Sequence, residues 1–75
     1  MNTYDEYRAK VRKTYSLDDW LEAVQVHAPG MWENDQGPQD WWAVSDEDFG
    51  IIAYFGCEPD AFRYRLDYIN RQLNP

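Results

Sequence analysis

Seventy-five residues with 17% aromatic side chains and a formal net charge of −7 describe one small domain, residues 1–75, whose stability depends on a dense core. Such a charge argues against direct binding to DNA, RNA or an anionic membrane, each of which would repel it, and favours a basic partner. The lone cysteine, Cys57, excludes an internal disulfide and a multi-cysteine zinc site, and no run approaches the roughly 18 apolar residues of a membrane span.

The opening MNTYDEYRAKVRK lacks the apolar segment of a secretory signal, so an intracellular protein is the expectation. Thr3 followed by Glu6 fits a capping box, the reciprocal pair that satisfies free N–H groups at a helix start. Tyr4, Tyr7, Val11 and Tyr15 then recur at helical spacing, which predicts a helix over about 3–14. Its outer face carries Arg8, Lys10, Arg12 and Lys13, read as a solvated face with cations suited to a helix C-terminus. Ser16 and Asp19 repeat the cap. Leu17, Trp20, Leu21 and Val24 share a face, predicting a second helix over about 17–27, stopped by Pro29-Gly30 and capped by His27. Asp18, Asp19 and Glu22 fill its first two turns, and so acidic a helix is unsuited to approach phosphates.

Pro29, Gly30, Gly37 and Pro38 mark residues 28–40 as a loop. Residues 41–45 and 51–55 are rich in aromatic and β-branched side chains, and Asp46-Glu47-Asp48 between them is a turn composition, so a β-hairpin is predicted. One hairpin face should carry Trp42 and Val44 with Ile52 and Tyr54 or their register neighbours. Cys57 reads as a small buried hydrophobe. Pro59 suits a first helical position, and Phe62, Leu66, Ile69 and Leu73 follow as an apolar stripe, predicting a helix over 59–73. The order is α-α-β-β-α, a small α+β domain with a hairpin packed against helices. A two-stranded sheet is marginal alone, so the helices must cover one face or a third strand must come from a partner or a second copy.

Charge is segregated along the chain. All seven bases lie in the two terminal helices, and no Lys or Arg falls between Lys13 and Arg63. That interval holds Asp18, Asp19, Glu22, Glu33, Asp35, Asp40, Asp46, Glu47, Asp48, Glu58 and Asp60. Ordinary surfaces interleave both signs. Duplex DNA presents about one negative charge per 1.7 Å of axis, and a compact protein with many carboxylates on one side offers a similar field to a basic groove. Aromatic anchors would add specificity, since interface hot spots are enriched in Trp and Tyr. The stretch MWENDQGPQDWW supplies them. Trp41 and Trp42 begin a strand and so point to opposite faces, one toward the core and one away from it. Trp32 is either a lid on the core or an exposed anchor.

Enzymatic chemistry finds little support. No serine or cysteine has an evident His/Asp set around it, no glycine-rich phosphate loop occurs, and no carboxylate pair shows contrasting environments. Residues 32–37 fail as a calcium loop because Trp32 would occupy the first ligand position. No cofactor or metal is expected.

Size, acidity and charge segregation resemble those of small phage- or plasmid-encoded proteins that inhibit host nucleases, restriction enzymes or CRISPR complexes. The resemblance is one of composition. It implies a non-enzymatic inhibitor in the cytoplasm of a bacterial host, a partial DNA mimic that blocks the surface of a basic nucleic-acid-binding protein or complex. Asp18, Asp19, Glu22, Glu33, Asp35, Asp40, Asp46, Glu47 and Asp48 would supply the field, with Trp32 and Trp41 or Trp42 as anchors. The alternative is an accessory interaction module, a homodimer across the hairpin edge, with the acidity serving solubility.

Overall fold

In the computed structural model, which describes residues 3–32 and 38–75, helix α1 spans Thr3–Arg12 and α2 spans Leu17–Ala23. Thr3 is the first residue of α1 itself. Asp5 and Glu6 in the first turn and Lys10 and Arg12 in the last complement the helix dipole. No residue of α1 is buried. The predicted cap of α2 forms in full: the Asp19 amide donates to Ser16 Oγ at 3.2 Å, and the Ser16 amide donates to Asp19 Oδ2 at 2.9 Å. This helix buries Trp20 and Ala23.

The first correction concerns residues 24–27, expected as the last turn of α2. They form strand β1, Val24–His27, antiparallel to β2, Trp42–Asp46. Val24 leaves the helix at φ −115° and ψ 116°. Two β-branched side chains alternating with polar ones suit a half-buried strand, and pairing with β2 overrides the helical spacing of Val24. Arg65 secures the junction. Its Nε donates to the Val24 carbonyl at 2.7 Å and its Nη2 to the Leu21 carbonyl at 2.6 Å, so a distant cation satisfies the helix end. His27, expected to cap that end, instead closes β1.

Strand β3, Gly50–Phe55, completes an antiparallel sheet of order β1-β2-β3, and α3, Glu58–Leu73, packs across it. The third strand that a stable sheet requires therefore comes from the chain itself. Residues 47–49 connect β2 to β3, with Gly50 at φ 77°, the left-handed position such hairpin loops commonly assign to glycine. A bulge between Val44 and Ser45 pairs Val44 with Ala53 and Ser45 with Ile51, leaving Ile52 as the extra residue. Trp42, Val44, Ala53, Phe55 and Ile52 thus all belong to the helix-side core, whereas Tyr54 faces the other way.

That core is built on Trp20, Val24, Val44 and Ile69, with Ala23 and Ala61 filling the close approaches. The second correction is the rotation of α3. Of the expected stripe only Ile69 is buried, while Phe62, Leu66 and Leu73 are exposed. The face that packs carries Ala61, Tyr64, Tyr68 and Ile69. Tyr64 meets Phe55 with ring centroids 5.2 Å apart, and the Tyr68 hydroxyl bonds Asp46, so tyrosines with partners across the sheet decide the rotation. Cys57, expected to be buried, is exposed as the residue preceding α3. No helix among the described residues is long and apolar enough to cross a membrane.

Candidate functional site

The expected acidic surface divides into two parts. The hairpin loop is the first. Asp46 ends β2 on the core face and is fully buried. Arg12 grips it with two bonds, Nη1 to Oδ1 at 2.9 Å and Nη2 to Oδ2 at 2.6 Å. The Tyr68 hydroxyl donates to Oδ2 at 2.7 Å and the Asp48 amide to Oδ1 at 2.9 Å. Four donors therefore surround one carboxylate. The Arg12 guanidinium also lies 4.6 Å from the Trp20 ring and 5.3 Å from that of Phe49.

Asp48 bonds Arg12 and accepts from Arg8 Nε at 2.9 Å, and Glu47 accepts from Arg8 Nη2 at 3.0 Å and from the Tyr15 hydroxyl. Arg8 and Arg12 stand four residues apart, on one side of α1, which places both over the loop. Burial by itself would raise the Asp46 carboxyl, but Arg12, the Tyr68 hydroxyl and the Asp48 amide outweigh it and hold it below the usual carboxylate range. The Asp48 carboxyl follows the same logic: burial raises it, and Arg8 and Arg12 bring it below that range. Burial, then the bond to Asp46, pushes the Tyr68 hydroxyl up to about 12. A groove of about 260 Å³ runs between α1 and this loop, walled by Tyr4, Ala9 and Phe49 with Asp5, Arg8 and Asp48 among its polar lining.

The second part is the exposed carboxylates. Asp18, Asp19 and Glu22 lie at the surface of α2, and Asp40 is exposed just before β2. Asp19 is engaged by its cap, whereas Asp18, Glu22 and Asp40 form no ion pair among the described residues. Glu33 and Asp35 lie outside the described residues.

The tryptophans separate as well. Trp32 is buried on the sheet face opposite the helices: its ring meets Tyr54 at 5.2 Å and its Nε1 donates to the Trp41 carbonyl at 3.0 Å. It is a lid, though over the outer face, where Ala43 is also buried. Trp41 is 43% exposed and Trp42 packs on the core.

One contact was not legible in the sequence. His27 Nε2 and Ser45 Oγ lie 2.8 Å apart across β1 and β2. No carboxylate engages the ring's other nitrogen among the described residues, and neither residue lines the groove beside α1. The pair is a cross-strand hydrogen bond and lacks the third member of a nucleophilic set. Among the described residues no group of His, Cys, Asp and Glu is placed to hold a metal ion. Arg8, Arg12 and Arg65 organise the hairpin loop and the α2 end. Only the four-residue spacing of Arg8 and Arg12 hinted at this, because their partners lie more than thirty residues away. Comparison with protein-family models, curated proteins and solved structures finds no match.

Proposed function

We propose that the protein is a non-enzymatic interaction protein whose acidic surface engages the basic nucleic-acid-binding surface of a partner, in the manner of an anti-CRISPR or anti-restriction inhibitor. The observation that carries this reading is the set of exposed carboxylates without internal cations, Asp18 and Glu22 on α2 and Asp40 before β2. Arg8 and Arg12 compensate the 46–48 loop, which leaves Asp18 and Glu22 on α2 and Asp40, beyond the other end of β2, as the uncompensated charges. The exposed Trp41, next to Asp40, is the aromatic anchor available to a partner. Glu47, half engaged by Arg8, adds charge at the margin, and Asp46 and Asp48 hold the fold.

The test is capture from a bacterial lysate at low salt, elution in salt steps and competition with duplex DNA. A nucleic-acid-binding protein should elute sharply as salt rises, be displaced by DNA, and be lost with Asp18→Lys/Glu22→Lys. Capture that ignores DNA or survives the reversals would sink the reading. A second reading, an accessory module that binds through apolar surface, is favoured by the exposed Phe62, Leu66 and Leu73 on α3.

A further inference from the structure

We infer that the outer face of α3 is a self-association surface on which a second copy of this chain docks antiparallel. Phe62, Leu66 and Leu73 are 40%, 54% and 36% exposed, and their spacing places them along one side of the helix, away from the buried Ala61. A second copy is identified as the occupant by the charges that flank this stripe. Arg63 and Asp67 are both exposed, opposite in sign and one turn apart on the face that adjoins Leu66. Neither of them forms an ion pair within the chain among the described residues.

An opposite pair at this spacing is self-complementary in one direction only. Two antiparallel copies crossing at residues 65 and 66 bring Arg63 opposite Asp67, a pairing that occurs twice by symmetry. The leucines then meet at the two-fold axis, and Leu73 reaches Pro59 of the other copy. A parallel pair would place like charges opposite one another. Balance of charge also favours this face. The chain carries −7, yet in α3 Glu58, Asp60 and Asp67 are matched by Arg63, Arg65 and Arg71, so two copies approach with little repulsion here. Antiparallel helix dipoles add to the fit. One helix pair of sixteen residues buries less than a standard interface, so the dimer belongs to the weak, concentration-dependent class.

The experiment is sedimentation equilibrium of the full chain from about 10 μM to about 1 mM, spanning the dissociation constants of weak complexes, at low and moderate salt, with circular dichroism to verify folding. The wild-type chain should dimerise within that range. Leu66→Asp should abolish dimerisation with an unchanged spectrum, as expected for an exposed position. Arg63→Asp and Asp67→Arg should each weaken it roughly tenfold, because each change acts twice across the two-fold axis. The double variant Arg63→Asp/Asp67→Arg should restore it. A wild-type chain that stays monomeric at the highest concentration overturns the inference, as does Leu66→Asp dimerising normally. A charge exchange that fails to restore association overturns the antiparallel pairing and the inference with it. These substitutions lie on α3, so their failure leaves the acidic α2 surface to its own test.

Discussion

Arg12 and Asp46 join α1 to β2 through a two-point ion pair, with guanidinium nitrogens 2.9 and 2.6 Å from the two carboxylate oxygens. The Asp46 side chain is wholly buried and that of Arg12 only 11% exposed, so water screens this pair poorly. No residue of α1 is buried, and Arg8 and Arg12 are its anchors to the hairpin loop. Arg12→Ala leaves a buried carboxylate without its cation and should destabilise the chain by about 3–5 kcal/mol. Arg12→Met combined with Asp46→Leu should be less harmful than Arg12→Ala alone, since it removes both charges. Urea denaturation of the two variants checks the order, and equal losses would show that the pair is not the anchor.

The same cluster sets the response to pH. The Asp46 and Asp48 carboxyls are lowered in the folded chain, so their contribution is present above the unfolded carboxylate pKa of about 3.9 and is lost as pH falls through the folded values below it. The Tyr68 hydroxyl is raised to about 12, so its contribution is complete below the unfolded pKa of about 10 and is lost between about 10 and 12. Melting temperature should therefore fall at both extremes. In an ultraviolet titration Tyr68→Phe should remove a tyrosine that ionises near 12. Tyr15, raised by donating to Glu47, should remain a late-titrating group.

Arg65 substitutes for a local cap at the end of α2. Arg65→Ala should cost about 1.5–3 kcal/mol, the range for hydrogen bonds to charged groups. Arg65→Lys should recover only part of this, because one ammonium lacks the planar fork that reaches both Leu21 and Val24 carbonyls. Amide exchange at the α2–β1 junction should accelerate in both variants, and unchanged protection there would refute the capping role.

Trp32 and Trp41, both between β1 and β2, should behave unequally. Trp32→Ala removes a buried ring over the outer sheet face and should cost about 3–5 kcal/mol. Trp41→Ala, with its side chain 43% exposed, should change stability by less than about 0.5 kcal/mol. Thermal denaturation of the two variants separates them, and comparable losses would contradict the assignment of Trp32 as the lid.

Gly50 is required by its backbone. A Cβ added there would meet nothing within 4 Å, so crowding is no obstacle, but φ is +77°. Gly50→Ala should therefore cost about 1–2 kcal/mol from the left-handed conformation alone. Gly50→Asn should lose less, because asparagine tolerates that region better. Chemical denaturation measures both, and a neutral alanine variant would mean the loop relaxes to another turn.

Sequence alone determined what depends on near neighbours. The capping box at Ser16, the hairpin around residues 46–50 and the extent of α3 follow from interactions spanning a few residues, and each formed close to its expected limits. The acidity and its confinement between Lys13 and Arg63 were equally legible, because charge needs no fold to be counted. Tertiary structure decided the rest. Residues 24–27 became a strand because β2 offered its edge, a partner about twenty residues distant. The helix α3 turned its tyrosines inward because Phe55 and Asp46 received them, which left the apolar stripe outside. The hairpin carboxylates became structural because Arg8 and Arg12 arrived from α1. Hydrophobic spacing reports which side of a helix is apolar, but which side is buried depends on what the remainder of the chain presents to it.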